Sequence, residues 1–319
     1  MPAGPIILFG GSGFLGVSLA LHLAATGRSI VIISRNAPMV EGPWQYKHWD
    51  ARTVGPWVRD LEDAAAIVNL AGRSVDCIKT PDNCDAILRS RVEATRTIAA
   101  AVREVRNPPK VWVQMSTAHI YGDPASAICD EESALGFGFA PTVGKAWEET
   151  AMYGALPSQR LVMLRTGFVI GRDRGVGGGA LARLKKLARL GLGGQAGSGT
   201  QGFSWIHELD MNRIFERAIH DDSTRGVYNA CGPNPTSQKH FMREVRKVSG
   251  GFGALGFAPP APAWAVRLGA PLLMKTDPEL ALYGRYVVPK RLLKEGFEFR
   301  FVSLAEALKD LAAKPNIGG

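Results

Sequence analysis

The chain has 319 residues, 46% of them hydrophobic, with 38 Lys and Arg against 29 Asp and Glu and a formal net charge of +9. This size and apolar content suit one large α/β domain with an appended lobe, or two small domains, and exclude a disordered chain. No apolar run approaches the roughly 18 residues that would span a bilayer, and the cations are scattered, which argues against membrane and nucleic-acid partners.

The N-terminus, MPAGPIILFGG, has no basic leader before its apolar stretch and reads as a first strand, Ile6–Phe9, rather than a signal peptide. Residues 14–26 form a predicted helix in which Leu15, Leu19 and Leu23 make one stripe, ended by Gly27. Strands follow at 29–34, 65–70 and 111–116, with a long helix over 83–105 before the last of these. A further helix spans 144–153, and a strand 161–165. Strands alternating with helices imply a doubly wound parallel sheet covered on both faces.

After Gly171 the texture changes. Segments 175–179 and 191–202 are glycine-rich and read as loops. Between them Arg183, Lys185, Lys186 and Arg189 interleave with Leu181, Leu184, Leu187 and Leu190, the pattern of a helix with a solvated basic face. Strands are predicted at 203–207 and 226–229, and a Pro/Ala/Gly-rich stretch, 250–271, leads to a C-terminal lobe. The expected organisation is a Rossmann domain over 1–171, to which 204–231 returns, and a substrate lobe from 172–203 and 232–319. Cys77, Cys84, Cys129 and Cys231 have no metal-ligand spacing, so no metal is expected, and free thiols point to a cytoplasmic chain.

The first strand runs into Gly10-Gly11-Ser12-Gly13-Phe14-Leu15-Gly16 and then a helix. The spacing Gly10-x-x-Gly13-x-x-Gly16 suits a dinucleotide turn. Gly10 permits the bend, Gly13 lets backbone approach a pyrophosphate, Gly16 lets helix and strand pack, and the helix N-terminus offers free N–H groups. Ser12, Phe14 and Leu15 belong to the same cradle. The second strand ends in Ser34-Arg35 with no carboxylate to receive a ribose 2′-hydroxyl, and Arg35 can pair a 2′-phosphate. The expected cofactor is therefore NADP, as NADPH or its oxidised form; the alternative is that Arg35 is an ordinary surface residue.

Further motifs occur in a fixed order: Trp49-Asp50, Val68-Asn69-Leu70-Ala71-Gly72, Ser90-Arg91, Ser116-Thr117-Ala118 with Tyr121-Gly122, and Lys145 with Trp147-Glu148. Arg165-Thr166-Gly167, Gly193-Gly194 through Gly197-Ser198-Gly199, Trp205-Ile206-His207 with Asp210, Pro289-Lys290-Arg291-Leu292-Leu293 and Gly296-Phe297 complete the series. With the glycine turn, they make the chain resemble the extended short-chain dehydrogenase/reductase superfamily. Within it, the chain is similar to the atypical subfamily of sugar-nucleotide epimerases that end in a small domain of unknown function.

The resemblance implies that Leu70, Ala71 and Gly72 pass the pyrophosphate and ribose and that Asp50 lies near the adenine; a turn or cap role is the other reading of Asp50. It also implies a catalytic Ser, Tyr and Lys, the last two four residues apart on one helix face. Ser116 and Lys145 match. Pro141 stands where the tyrosine belongs, and Arg91 stands where a helical asparagine often assists, so Arg91 joins Lys145 among the cofactor contacts. The string Tyr286-x-x-x-Lys290 is a decoy, interrupted by Pro289. Tyr121, five residues past Ser116, is the candidate proton donor, or else a wall residue; His119 and the acids Asp130, Glu131 and Glu132 lie near it in sequence.

Two functions follow. One is an NADP(H)-dependent oxidoreductase or epimerase acting on a small polar or nucleotide-linked substrate. The other is a non-catalytic NADP(H)-binding sensor or scaffold that lost its proton donor. The oligomeric state is open.

Overall fold

A computed structural model describes residues 4–124, 126–176 and 179–313. The first half runs β1 (Ile6–Phe9), α1 (Phe14–Ala25), β2 (Ile30–Ser34), β3 (Gln45–His48), β4 (Ala66–Asn69), α2 (Pro81–Ala101), β5 (Val111–Thr117), β6 (Ile128–Cys129), α3 (Phe139–Gly154) and β7 (Arg160–Thr166). The second half runs β8 (Phe168–Ile170), α4 (Gly179–Arg189), β9 (Gly202–Phe203), β10 (Trp205–His207), α5 (Glu208–His220), β11 (Gly226–Ala230), β12 (Thr236–Ser237) and α6 (Gln238–Ser249). It ends with α7 (Gly251–Ala254), α8 (Ala263–Met274), α9 (Glu279–Leu282), β13 (Tyr286–Val287), α10 (Lys290–Lys294) and α11 (Leu304–Ala312).

Seven strands form one sheet in the order β11-β7-β5-β4-β1-β2-β3, with every pairing parallel. Chain order reverses at β1, between β2 and β4, and in open parallel sheets ligands bind beyond the carboxyl ends of the strands at such a point. The strands read as unbroken apolar runs because both faces are covered. Ile6, Leu8 and Ile32 pack with Leu19, Leu23 and Phe215 from α1 and α5 on one face. Ile7, Phe9 and Ile33 pack with Ile98 of α2, Trp49 and Trp57 on the other. A separate core joins α4, α6 and α11 through Leu181, Phe241, Val245, Leu308 and Leu311. Among the described residues no helix is long and apolar enough to cross a membrane, and all four cysteines are free.

Among the elements that differ from the pattern-based expectation, four have a local reason. β3 was missed because Gln45-Tyr46-Lys47-His48 is an edge strand with no apolar alternation. The stretch 203–207 is two strands, not one: β9 pairs antiparallel with β12, whereas β10 pairs parallel with β8. α3 begins at Phe139, five residues before the expected start, since Pro141 falls in its first turn, where no intrahelical N–H is needed. The segment 250–271 is not merely a connector; it holds α7 and most of α8.

Candidate functional site

The glycine turn is built as its spacing requires. Gly10 has φ +71°, and a Cβ there would lie 2.7 Å from the Ala71 Cα, so the turn presses against the end of β4. A Cβ at Gly16 would come within 2.4 Å of the Gly11 backbone, which lets α1 seat on the turn. Gly13 caps α1 with no side-chain hydrogen bond, and a Cβ there would meet nothing within 4 Å. The amides of the first turn thus face open space with neither a capping side chain nor an acid in that turn, an arrangement suited to an anion.

Beside the turn, the Gly10 N–H donates to the Ile33 carbonyl at 2.8 Å, which brings the end of β2 alongside. Ser34 is buried and its hydroxyl donates to the Asn36 carbonyl. Arg35 is exposed and makes no hydrogen bond or ion pair with any described residue, so its guanidinium is available. The carboxylate of Asp50 accepts from the Thr53 N–H and hydroxyl and from the Arg52 N–H at 2.7–2.8 Å, bonds that hold its pKa below the usual range. Its structural contacts are those of a turn. At the end of β4, Asn69 donates to Thr95 and Gln114 and accepts from the Ala71 N–H, all at 3.0 Å, and so fixes the course of Leu70, Ala71 and Gly72.

A cleft of about 480 Å³ lies beyond the carboxyl ends of β4, β5 and β7. Its floor is Leu70, Ser116, Thr117, Thr166 and Gly167; α2 contributes Ile87 and Arg91, and the start of α3 contributes Phe139, Pro141 and Trp147. Asp277, Leu280, Tyr283 and Arg285 close it from the C-terminal part. Arg285 anchors that wall: its Nε donates to the Gly122 carbonyl at 2.6 Å and its Nη2 pairs with Asp123. Arg91 packs over Trp147 at 4.9 Å, and its Nη1 donates to the Ile87 and Arg73 carbonyls at 3.0 and 3.1 Å. No described carboxylate pairs with Arg91, and burial pulls its pKa down to about 10.

Ser116, at the cleft floor, donates its hydroxyl to Glu148 Oε1 at 2.6 Å. Glu148 is buried on the inner face of α3. Arg165 of β7 grips it with Nε to Oε1 at 2.9 Å and Nη2 to Oε2 at 2.8 Å. The same guanidinium donates from Nη1 to the Tyr121 oxygen at 3.0 Å, and the Tyr121 hydroxyl donates to Asn229 at 2.8 Å.

Of the two roles expected for Tyr121, proton donor or wall residue, these bonds do not suit the donor. Tyr121 is buried behind the floor rather than lining the cleft, and burial pushes its pKa up to about 12. Lys145 also stands outside the cleft lining. Its Nζ donates to the Gly136 carbonyl at 2.9 Å and lies 5.5 Å from the ring centre of Phe137, a residue on the cleft rim. Pro141 does line the cleft, one turn before Lys145. His119 lines it too, but burial, with the charges of Arg285 and Lys79, drives its pKa down to about 3 and keeps it neutral.

The residues that sequence reasoning missed are Glu148 as a partner for Ser116, and Arg165. Their signal was present: a carboxylate on the same helical face as Trp147 and Ala151, and a lone arginine inside the apolar run Leu161-Val162-Met163-Leu164. A charge at each of two buried positions calls for a pair. Tyr283 and Arg285 carry no local pattern and are brought to the site only by the fold.

Residues 6–231 match the model of the NAD dependent epimerase/dehydratase family, and residues 261–311 match that of a domain of unknown function, DUF1731. The epimerase family protein SDR39U1 of Bos taurus is 34% identical over 318 residues, covering 97% of this chain and 99% of its own. The crystal structure of human epimerase family protein SDR39U1 (isoform 2) with NADPH is 32% identical, covers 97% of this chain and 99% of its own, and superposes with a TM-score of 0.80. A UDP-glucose 4-epimerase from Thermotoga maritima, solved with UDP-glucose, shares the fold at a TM-score of 0.76 with 14% identity, covering 97% of each chain. The chain belongs to the NAD dependent epimerase/dehydratase family.

Proposed function

We propose that the chain is an NADP(H)-dependent oxidoreductase or epimerase acting on a small polar or nucleotide-linked alcohol. The observation that carries this reading is the pairing of two features at one sheet edge. An uncapped helix start opens behind a glycine turn, and a neighbouring cleft has a serine hydrogen-bonded to a buried carboxylate at its floor. NADPH in the human relative supports the choice of cofactor. In this chain Gly10–Gly16 would hold the pyrophosphate and Arg35 the 2′-phosphate, and Leu70–Gly72 would pass the pyrophosphate and ribose. When bound, the nicotinamide supplies a site that accepts or returns hydride. The free thiols suit a reducing compartment such as the cytoplasm.

The chain's own residues supply the proton path. With its proton engaged by Glu148, Ser116 presents lone pairs to the cleft and so accepts from a substrate hydroxyl. As hydride leaves the carbinol carbon, the substrate proton passes to Ser116 Oγ while the serine proton moves to Glu148. In an epimerisation the reverse transfer restores both; in a net oxidation the proton returns through Ser116 Oγ to water in the cleft. Arg165 positions the carboxylate, and Arg91 offers an unpaired cation to an anionic part of the cofactor or substrate.

A spectrophotometric screen of NADP⁺ reduction and NADPH oxidation against nucleotide-linked and small hydroxy compounds tests the reading. On any active substrate, Ser116→Ala is expected to lower kcat by about 10²–10⁴-fold, the range for general acid–base catalysis. Tyr121→Phe is expected to leave kcat nearly unchanged. Full activity in the Ser116 variant would overturn the proton path. A second reading, a non-catalytic NADP(H)-binding sensor or scaffold, is favoured by Pro141 occupying the cleft wall where the family places its tyrosine. Tight NADPH binding with no turnover on any compound would select it.

Cofactor choice has its own test. Arg35→Asp is expected to weaken NADPH by about 1–3 kcal/mol, the scale of a lost charge-assisted hydrogen bond, with little effect on NADH. Calorimetric titration with both nucleotides measures it. Equal losses for the two would remove Arg35 from the 2′-phosphate site.

A further inference from the structure

The C-terminal part of the chain exposes an apolar surface that the cleft does not use. α8 buries a single residue, Ala270. On the opposite side of the helix, Trp264, Leu268 and Leu272 recur every fourth residue, at 67%, 59% and 77% exposure. Leu273 beside them is 83% exposed. Leu190, Leu192, Phe252, Leu255 and Phe257 are exposed as well. They adjoin: a Cβ on Gly191 would touch both Phe257 and Phe252, and a backbone bridge joins Ala196 to Ala261 just before α8. Exposed apolar surface of this extent, in the α8 stripe and in the neighbouring 190–192 and 252–257 segments, marks an interaction site.

Cations outnumber acids around it, although Arg174, Arg183 and Lys247 are paired with Glu208, Asp76 and Glu244. Segments 174–207 and 245–276 together contain nine Lys and Arg and no Asp or Glu, as many cations as the chain's whole net charge. Lys186, Arg267 and Lys275 pair with no described carboxylate. A second copy of the chain meeting this face would set Lys186, Arg267 and Lys275, which have no partner carboxylate among the described residues, against the same cations of its neighbour. Nucleic acid would answer the cations but not the leucines. An acidic phospholipid surface answers both, since acyl chains take the apolar stripe, headgroups take the cations, and tryptophan favours the boundary between them.

We propose that α8, with the adjoining 190–192 and 252–257 segments, docks the protein on an anionic membrane surface. The helix lies in the interface and needs no spanning length. This revises the expectation of no membrane partner, which rested on the lack of a spanning segment, and it is independent of the reaction at the cleft.

The test is flotation of the full chain with vesicles of phosphatidylcholine containing phosphatidylserine, against phosphatidylcholine alone, at low and high salt. Co-flotation is expected only with the anionic vesicles and is expected to fall as salt rises. Trp264 is the most exposed of the chain's seven tryptophans, the others being buried or half-buried. Acrylamide quenching of the fluorescence is therefore expected to drop on binding, and Trp264→Phe is expected to abolish that change. Leu268→Glu with Leu272→Glu is expected to weaken vesicle binding by more than about tenfold, while melting curves stay unchanged because both residues are exposed. Failure of the native chain to float with anionic vesicles would overturn the proposal, as would equal flotation of the double variant. So would a native dimer in sedimentation without lipid that the double variant dissociates, which would assign the face to a second copy.

Discussion

Replacing Glu148 by alanine is expected to destabilise the protein by about 3–5 kcal/mol, the cost of leaving one member of a buried ion pair alone. Both side chains of the Glu148–Arg165 pair are only 7% exposed, so solvent cannot take over the missing charge. Arg165 would retain only its bond to Tyr121, and Ser116 would lose its acceptor. Chemical denaturation of the single variant and of a Glu148→Leu, Arg165→Met double variant separates charge from packing. The double variant is expected to recover most of the loss, because neither charge is then buried. A single variant within about 1 kcal/mol of the native chain would mean that water reaches the pair. The same double variant should have lost turnover even where it regains stability, since no carboxylate remains to receive the Ser116 proton.

That pair also shows where sequence reading stops. The sheet was legible because parallel strands buried on both faces read as apolar runs of Ile, Val and Leu, and because Leu19 and Leu23 mark the buried stripe of α1. The glycine turn was legible because its spacing is local: Gly10 and Gly16 answer backbone demands within seven residues, while Gly13 leaves open space before α1. Arg35 was placed beside it by the same local reasoning, as it directly follows β2. The cleft was not. Ser116 meets Glu148 across 32 positions and Glu148 meets Arg165 across 17, and nothing local distinguishes a hydroxyl facing a cavity from one facing a partner. Tyr121 follows Ser116 closely in sequence, yet a short 3-10 turn over Ala118–Tyr121 carries its ring behind the floor to Asn229, 108 residues away. The wall formed by Tyr283 and Arg285 depends on how the last 50 or so residues return to the sheet edge, which periodicity does not specify.

Gly13→Val is expected to separate cofactor binding from folding at the turn. Gly13 has φ −91° and ψ −175°, an extended conformation open to any residue, and a Cβ there would meet nothing within 4 Å. The fold should therefore lose only about 1 kcal/mol, the cost of a poor helix-cap residue. The isopropyl group would instead fill the space in front of the first amides of α1, where we propose the pyrophosphate rests. Losing about two charge-assisted hydrogen bonds should weaken NADPH by on the order of 3 kcal/mol, or about a hundredfold. Gly16→Val makes the opposite case. Its Cβ would lie 2.4 Å from the Gly11 backbone, so the turn or α1 must shift, and overpacking of this kind typically costs about 1–3 kcal/mol in stability. Thermal melts and NADPH titrations of the two variants, read side by side, decide the matter. A Gly13 variant that melts normally and binds NADPH as the native chain does would remove the pyrophosphate from this turn. A Gly13 variant that melts as early as the Gly16 variant would mean that the space at the turn is not open in solution.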